Sequence, residues 1–176
     1  MSISTKRGDS GETDLMFGKR VPKTHPRVRT CGAVDELNAQ LGLVRASEVS
    51  DELVECIDTI QKHLVGLMGV VATDSDDHAK YTEKGYQGIE LADVEWLDSI
   101  VHELESVKGH RFRGWSRPGS QGAFAGAALD VARTVSRRAE LVSWEIDDPA
   151  LSTARQFLNR LSDVIWLLAR NREAEG

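Results

Sequence analysis

Residues 50–71 read SDELVECIDTIQKHLVGLMGVV, and this stretch decides the fold class. Its apolar side chains recur at spacings of three and four residues, which is the repeat of an amphipathic α-helix. Ser50 or Asp51 is suited to cap the helix, because either side chain accepts hydrogen bonds from free amides at a helix N-terminus. The near-heptad spacing predicts a helix that packs against others along its length, through Leu53, Ile57, Ile60, Leu64, Leu67 and Val71.

The same spacing of apolar residues occurs in four other stretches, at 34–44, 94–104, 124–142 and 154–168. None of the sequence shows the alternation that is typical of a strand. Five helices joined by short or moderate loops predict an all-α fold, an antiparallel five-helix bundle. The last helix is apolar on more than one side, which indicates burial by a further element or by another subunit.

The rest of the sequence predicts irregular structure. Residues 1–30 form a Gly-rich lead segment, and the polar stretches 73–90 and 109–122 are expected to be loops. We predict a single domain over residues 1–176, in which the bundle occupies 31–172.

Composition excludes several classes of function. The chain has 176 residues and a net charge of −6, so it lacks the basic field that selects nucleic acid. It has no run of about 18 apolar residues and no apolar N-terminal stretch, so we expect neither a membrane span nor a secretory signal. Cys31 and Cys56 are too few for a disulfide framework or a cysteine zinc site, and they suit a cytoplasmic protein.

Two polar clusters are not explained by the bundle. Residues 4–13 (STKRGDSGET) combine glycines with donors that suit an anion, although the spacing is not that of a P-loop and composition alone favours a flexible terminus. Residues 133–140 (RTVSRRAE) place Arg133 and Arg137 on one helix face, with Glu140 three residues further on. This second cluster is either a basic binding site or a solvated stripe of salt bridges.

A third cluster lies on the last helix, where Asn159 and Asp163 stand four residues apart among apolar residues. Asp35 and Asn38 pose the same question on the first helix. Buried amides and carboxylates need partners, so these residues either complete hydrogen bonds of the fold or contact a polar ligand. The five histidines have no metal-ligand spacing and no nucleophile motif is present, so any metal ligands stay unknown and the residues alone indicate a helical bundle with a possible polyphosphate site.

The clusters together resemble the PduO-type ATP:corrinoid adenosyltransferases, in the right order over nearly the whole chain. TKRGDSGET (5–13) is similar to the family's TKTGDxGxT, and GAVDELN (32–38) to GTVDELN. ARTVSRRAE (132–140) and LNRLSDVIWLLAR (158–170) are similar to two helical signatures of the family.

This resemblance implies transfer of the 5′-deoxyadenosyl group of ATP to the cobalt of cob(I)alamin, with triphosphate released. Because Co(I) is a strong nucleophile, the resemblance implies no catalytic side chain. The protein is expected to supply alignment and charge stabilisation, with Mg²⁺ at the phosphates. By motif position the resemblance assigns ATP binding to Thr5, Lys6, Arg7, Gly8, Thr13, Asp14, Lys23, Arg137, Arg138, Ala139, Glu140 and Asn159.

The resemblance also implies a homotrimer with active sites between subunits, supported by an intersubunit salt bridge of Asp35 and Arg133. A reductase and a cobalamin-dependent enzyme are the further partners that it implies. The family's FxLPGG stretch reads WSRPGS (115–120) in this chain, so Trp115 is expected to face the corrinoid.

That departure supports a second hypothesis, a non-catalytic relative that binds ATP or cobalamin as a sensor or delivery protein. A third hypothesis is a helical interaction protein without a ligand. It predicts that changes at Asn159 or Arg137 alter folding or assembly, with no ligand-induced stabilisation to lose.

Overall fold

A computed structural model of the chain describes residues 4, 6–47, 49–111 and 114–175. In these ranges a short hairpin precedes six α-helices. The strands are β1 (Glu12–Asp14) and β2 (Arg20–Pro22), and the helices are α1 (Pro26–Arg45), α2 (Asp51–Val71), α3 (His78–Glu83), α4 (Leu91–His102), α5 (Phe124–Ser143) and α6 (Ser152–Glu175). A π-helical turn over Glu103–Val107 continues α4.

The five long helices form the predicted antiparallel bundle. Two ion pairs show that α1 and α5 run antiparallel, because Arg29 in the first turn of α1 pairs with Glu145 just after α5, and Glu36 further along α1 pairs with Arg138 earlier in α5. The six seam residues of α2 are all buried, as the sequence predicts. α6 packs against both α5 and α4, and its Phe157 is fully buried. The all-α fold class is therefore confirmed.

Three short elements differ from the expectation. α3 lies inside the stretch 73–90 that was predicted to be a loop, and β1 pairs with β2 in antiparallel register inside the lead segment. α1 begins at Pro26, because a proline suits the first turn of a helix and His25 Nδ1 accepts a hydrogen bond from the Arg27 amide. Elements of three to six residues are too short to show a periodic pattern.

The lead segment packs on the end of α2. The Met16 amide donates to the Ala72 carbonyl at 2.8 Å, and Lys19 Nζ lies 2.7 Å from Asp74 Oδ1. The Lys80 ammonium lies 4.3 Å from the centre of the Phe17 ring. These contacts attach the predicted ATP segment to α2 and α3 of its own chain.

A buried ion pair joins the start of α1 to the connection between α5 and α6. Arg27 Nη2 donates to Asp148 Oδ2 at 2.5 Å, and both side chains are about 3% exposed. Ser75 and His78 also hydrogen-bond to Asp148 Oδ2, at 3.0 and 2.8 Å. Burial alone would raise the pKa of Asp148, but the hydrogen bonds from His78, Arg27, the Ala150 amide and Ser75 outweigh it and hold this pKa well below its usual range.

Among the helices that the structure describes, none is long and apolar enough to cross a lipid bilayer.

Candidate functional site

The two adjacent arginines of α5 have different environments. The Arg138 guanidinium pairs with the Glu36 carboxylate on α1, and Ala139 beside it is fully buried. Arg137 is exposed, and in the described part of the chain it makes no hydrogen bond or ion pair. Arg137 is therefore a cation available to a ligand, whereas Arg138 is already engaged in helix packing.

Arg137 lines a cavity of about 630 Å³ between α4, α5, α6 and the loop before α5, which we call the larger cavity. Two more arginines line it, and both have acidic partners. Arg133 Nε lies 3.4 Å from Asp130 Oδ1, and the Arg160 guanidinium pairs with Asp98. The apolar and aromatic part of the lining consists of Val101, Trp115, Trp166 and Leu167. The acidic and polar part consists of Glu105, Ser162 and Asp163. Among the described residues that line it, the cavity thus offers one unpaired cation next to aromatic surface.

A second cavity of about 270 Å³, which we call the smaller cavity, lies between the C-terminal end of α5 and the N-terminal part of α6. Glu140 and Asn159, two of the predicted ATP residues, both line it. Arg160 lines this cavity as well as the larger one, so the two cavities share a wall. The structure therefore brings Arg137, Glu140 and Asn159 into two adjoining spaces, whereas the predicted residues Arg138 and Ala139 line neither of them.

Trp115 lies in the loop before α5 and is 81% exposed. It lines the larger cavity and also a neighbouring space of about 310 Å³ next to Trp166 and Arg170. Gly114 and Gly119 in this loop have positive φ angles, which suit glycine and let the chain turn sharply there.

The predicted ATP residues of the lead segment form a cluster of their own. Arg7 pairs with Asp14 at 2.9 Å, and Thr13 lies in β1 opposite Val21. A Cβ atom at Gly8 would lie 2.9 Å from Lys23 Nζ, so glycine at this position permits the approach of the Lys23 ammonium. Lys6 is exposed, whereas the predicted residue Thr5 lies outside the described residues.

Asp35 is exposed on α1 and has no ion-pair partner among the residues that the structure describes. The predicted partner Arg133 pairs with Asp130 of its own chain. A single chain thus leaves the Asp35 carboxylate available to another molecule.

The sequence matches the family model described as Cobalamin adenosyltransferase over residues 3–172. The chain belongs to this family. The family predicted from the sequence motifs is therefore confirmed.

Individual cobalamin adenosyltransferases align over the same region. The chain is 33% identical over 179 residues to the corrinoid adenosyltransferase PduO of Salmonella typhimurium, covering 100% of this chain and 51% of that protein. It therefore spans about half the length of that curated relative. It is 36% identical over 180 residues to the cobalamin adenosyltransferase of Cupriavidus metallidurans, covering 99% of this chain and 90% of the relative.

A solved structure of the family has the same fold. It is a variant of the PduO-type ATP:corrinoid adenosyltransferase from Lactobacillus reuteri complexed with cobalamin and ATP. The TM-score is 0.83 at 29% identity, and the alignment covers 98% of this chain and 90% of that chain.

Several residues of this cobalamin adenosyltransferase-family chain that line the cavities were not predicted from the sequence. Arg160 is part of the LNRLSD signature, but nothing in the sequence pattern assigns it to a site, and it lines both cavities. Trp144 and Arg155 line the smaller cavity and stack on each other, with the guanidinium carbon 4.7 Å from the ring centre. The sequence signal for them is weak, because an isolated Trp or Arg near a helix end is common in any bundle.

Proposed function

We propose that the chain transfers the 5′-deoxyadenosyl group of ATP to the cobalt of cob(I)alamin, giving adenosylcobalamin and triphosphate. The observation that carries the proposal is Arg137, an exposed cation without a partner in the described part of the chain, in a cavity that also has aromatic walls. A guanidinium suits phosphate oxygens, and aromatic surface suits a flat macrocycle. The names of the relatives and the ligands of the Lactobacillus reuteri neighbour support the same reaction.

In this reaction the Co(I) electron pair forms the bond to the ribose C5′ while the C5′–oxygen bond breaks, and the triphosphate leaves with the bonding pair. The cobalt is the nucleophile, so the chain needs no serine, cysteine or general base. Its contribution is to hold C5′ in line with the cobalt and to stabilise the negative charge of the leaving group. We assign that stabilisation to Arg137, together with Lys6, Arg7 and Lys23 of the lead segment. Arg138 would take part only on releasing its partner Glu36.

We propose that Mg²⁺ enters with ATP as part of the substrate. Among the described residues no group of three or more His, Cys, Asp or Glu is arranged to hold a metal ion. Mg²⁺ in nucleotide sites is coordinated largely by phosphate oxygens and water, so the triphosphate itself provides suitable ligands.

We further propose a homotrimer whose sites lie between subunits, each site combining the lead segment of one chain with the larger cavity of another. In its own chain the lead segment contacts the end of α2 and α3, whereas Arg137 lies on α5 beside α6. α5 also exposes Phe124, Val131 and Leu141, which are suited to be covered by a second copy. Asp35 would then pair with Arg133 of the neighbouring subunit.

We place the protein in the cytoplasm, because its two cysteines are free in the structure. There it would receive cob(I)alamin from a reductase and pass adenosylcobalamin to a cobalamin-dependent enzyme.

The test is anaerobic incubation of chemically reduced cob(I)alamin with ATP and Mg²⁺, followed by visible absorbance with and without protein. Protein-dependent formation of a light-sensitive adenosylcobalamin spectrum is the expected result. An unchanged cob(I)alamin spectrum over many equivalents of protein contradicts the proposal.

One observation favours a second candidate, a non-catalytic protein that binds ATP or cobalamin as a sensor or for delivery. Trp115 and Arg117 are both exposed, and Arg117 stands in a stretch where the family pattern is apolar. This candidate predicts that ATP raises the melting temperature while cob(I)alamin is not alkylated.

A further inference from the structure

Trp144 directly follows the last residue of α5 as its C-terminal cap, and it contacts a predicted ATP residue one turn earlier. The indole Nε1–H donates a hydrogen bond to Glu140 Oε1 at 2.5 Å. Glu140 Oε2 has no partner among the residues that the structure describes. One oxygen of the carboxylate is therefore fixed by Trp144, and the other remains available.

The indole ring is itself held in place by Arg155, whose guanidinium group stacks on one of its faces. The guanidinium carbon of Arg155 lies 4.7 Å from the ring centre, a cation–π distance. Arg155 is buried, and its Nη atoms donate to the Ser143 carbonyl at 3.0 Å, the Asp148 carbonyl at 3.3 Å and the Ile146 carbonyl. Because one of these carbonyls belongs to the last residue of α5 and the other two to the chain just after it, Arg155 anchors both the end of the helix and the ring stacked on it.

The three side chains meet at one wall of the smaller cavity, which Asn159 lines from α6. A glutamate side chain that is free to rotate loses conformational entropy when a ligand orders it. A carboxylate already held by an indole N–H has lost that freedom before the ligand arrives, so binding costs less.

We propose that Trp144 is a positioning residue for ATP: it fixes Glu140 so that the free carboxylate oxygen accepts a hydrogen bond from a hydroxyl or amino group of the adenosine part. The inference rests on the proposed function. Trp144 acts through Glu140 and takes no part in the transfer of the adenosyl group.

Trp144→Phe is the informative substitution, because phenylalanine keeps a ring over Arg155 and removes the N–H donor. The indole is 62% exposed, so the bundle core is untouched. Because the lost hydrogen bond is made to Glu140 and not to ATP itself, we expect the effect of an ordinary hydrogen bond, a change of about five- to tenfold. We expect the KM for ATP to rise by about that factor, with kcat and the KM for cob(I)alamin changed less than about twofold.

Trp96→Phe is the matched control, since it makes the same chemical change on α4 at a residue that lines neither cavity. In a Glu140→Ala background, Trp144→Phe should add no further loss, because its partner is already gone. Additive losses in that background, or equal losses in Trp96→Phe and Trp144→Phe, would overturn the inference.

Calorimetric Kd values for ATP, measured on the same variants, separate this inference from the proposed function. A Trp144→Phe protein with the wild-type KM and Kd for ATP overturns the role of Trp144 and leaves the proposed function standing. If the wild type binds ATP but forms no adenosylcobalamin, the proposed function fails and the Kd series tests Trp144 alone. A wild type that does not bind ATP overturns both.

Discussion

Arg27 and Asp148 form a buried ion pair at 2.5 Å that joins the start of α1 to the connection before α6. The two residues are 121 positions apart in sequence, and each of them has further hydrogen-bond partners. Arg27 also donates to the Val71 carbonyl and to Ser75 Oγ, so the end of α2 belongs to the same network. The start of α1, the end of α2 and the connection to the helix that carries Asn159 are thereby tied to one carboxylate.

Asp148→Asn should destabilise the protein strongly, because it leaves the Arg27 guanidinium buried without its counter-charge. Breaking a buried pair in this way costs about 3–5 kcal/mol, or roughly 6–20 °C in Tm for a chain of this size. Thermal unfolding measures the loss. Glu145→Gln breaks the exposed pair with Arg29 and should cost at most about 1 kcal/mol; similar losses in the two variants would contradict the prediction.

The same carboxylate predicts how stability depends on pH. The pKa of Asp148 in the folded protein is lowered from an unfolded value of about 3.9. Its stabilisation is therefore complete well above pH 4 and is lost as the pH falls below about 4 towards the folded pKa. Urea unfolding at pH 7 and at pH 3 should show a smaller difference between wild type and Asp148→Asn at the lower pH. A difference that stays constant would argue against this linkage.

Arg137→Ala should lower kcat/KM for ATP about ten- to a hundredfold, the range expected for one charge-assisted hydrogen bond to a phosphate. The subunit assembly should be unchanged, because Arg137 makes no ion pair in the described part of the chain. Steady-state kinetics and sedimentation velocity measure the two properties. Arg45→Ala, which removes an exposed arginine paired with Asp58, is the control; a monomeric Arg137→Ala protein with normal ATP use would refute the assignment.

Asp35→Ala and Arg133→Ala should each weaken the proposed trimer. If the residues pair between subunits, the double-mutant cycle gives a coupling of about 0.5–3 kcal/mol in the assembly free energy, measured by analytical ultracentrifugation. Asp58→Ala on α2, which removes a partner of Arg45 and Lys62, should leave assembly unchanged. Additive losses of Asp35→Ala and Arg133→Ala would show that they are not partners.

The two thiols should react slowly in the folded protein. Burial raises the pKa of Cys31 and of Cys56 to about 11. At pH 8 the thiolate fraction is then about two-hundredfold lower than for an unperturbed cysteine of pKa about 8.5. Alkylation followed by mass spectrometry should show rapid labelling in urea and slow labelling without it. Equal rates in both conditions would contradict the burial of these thiols.

The bundle could be predicted because its helices are long enough to repeat their pattern. The seam of α2 shows six apolar positions, all of them buried as expected. α3 has six residues and β1 and β2 have three each, so none completes enough repeats to be detected. The Pro26 start of α1 was readable in principle, since proline at the first turn is a known helix signal.

The site was predicted by motif and not by periodicity. The helical spacing separates Arg137 from Arg138 by about 100°, but it does not say which of them meets Glu36 on another helix. Trp144 over Arg155 depends on the path of the chain between α5 and α6, which no local pattern encodes. Long-range pairs such as these become visible when the fold is known.

Arg160 gives the two cavities a common wall, and a common wall has a thermodynamic consequence. If a molecule in one cavity changes how strongly the other binds, the second molecule must change the affinity for the first by the same factor. We therefore expect replacement of Arg160 to change this shared factor. Titrating each substrate in the absence and presence of the other measures it.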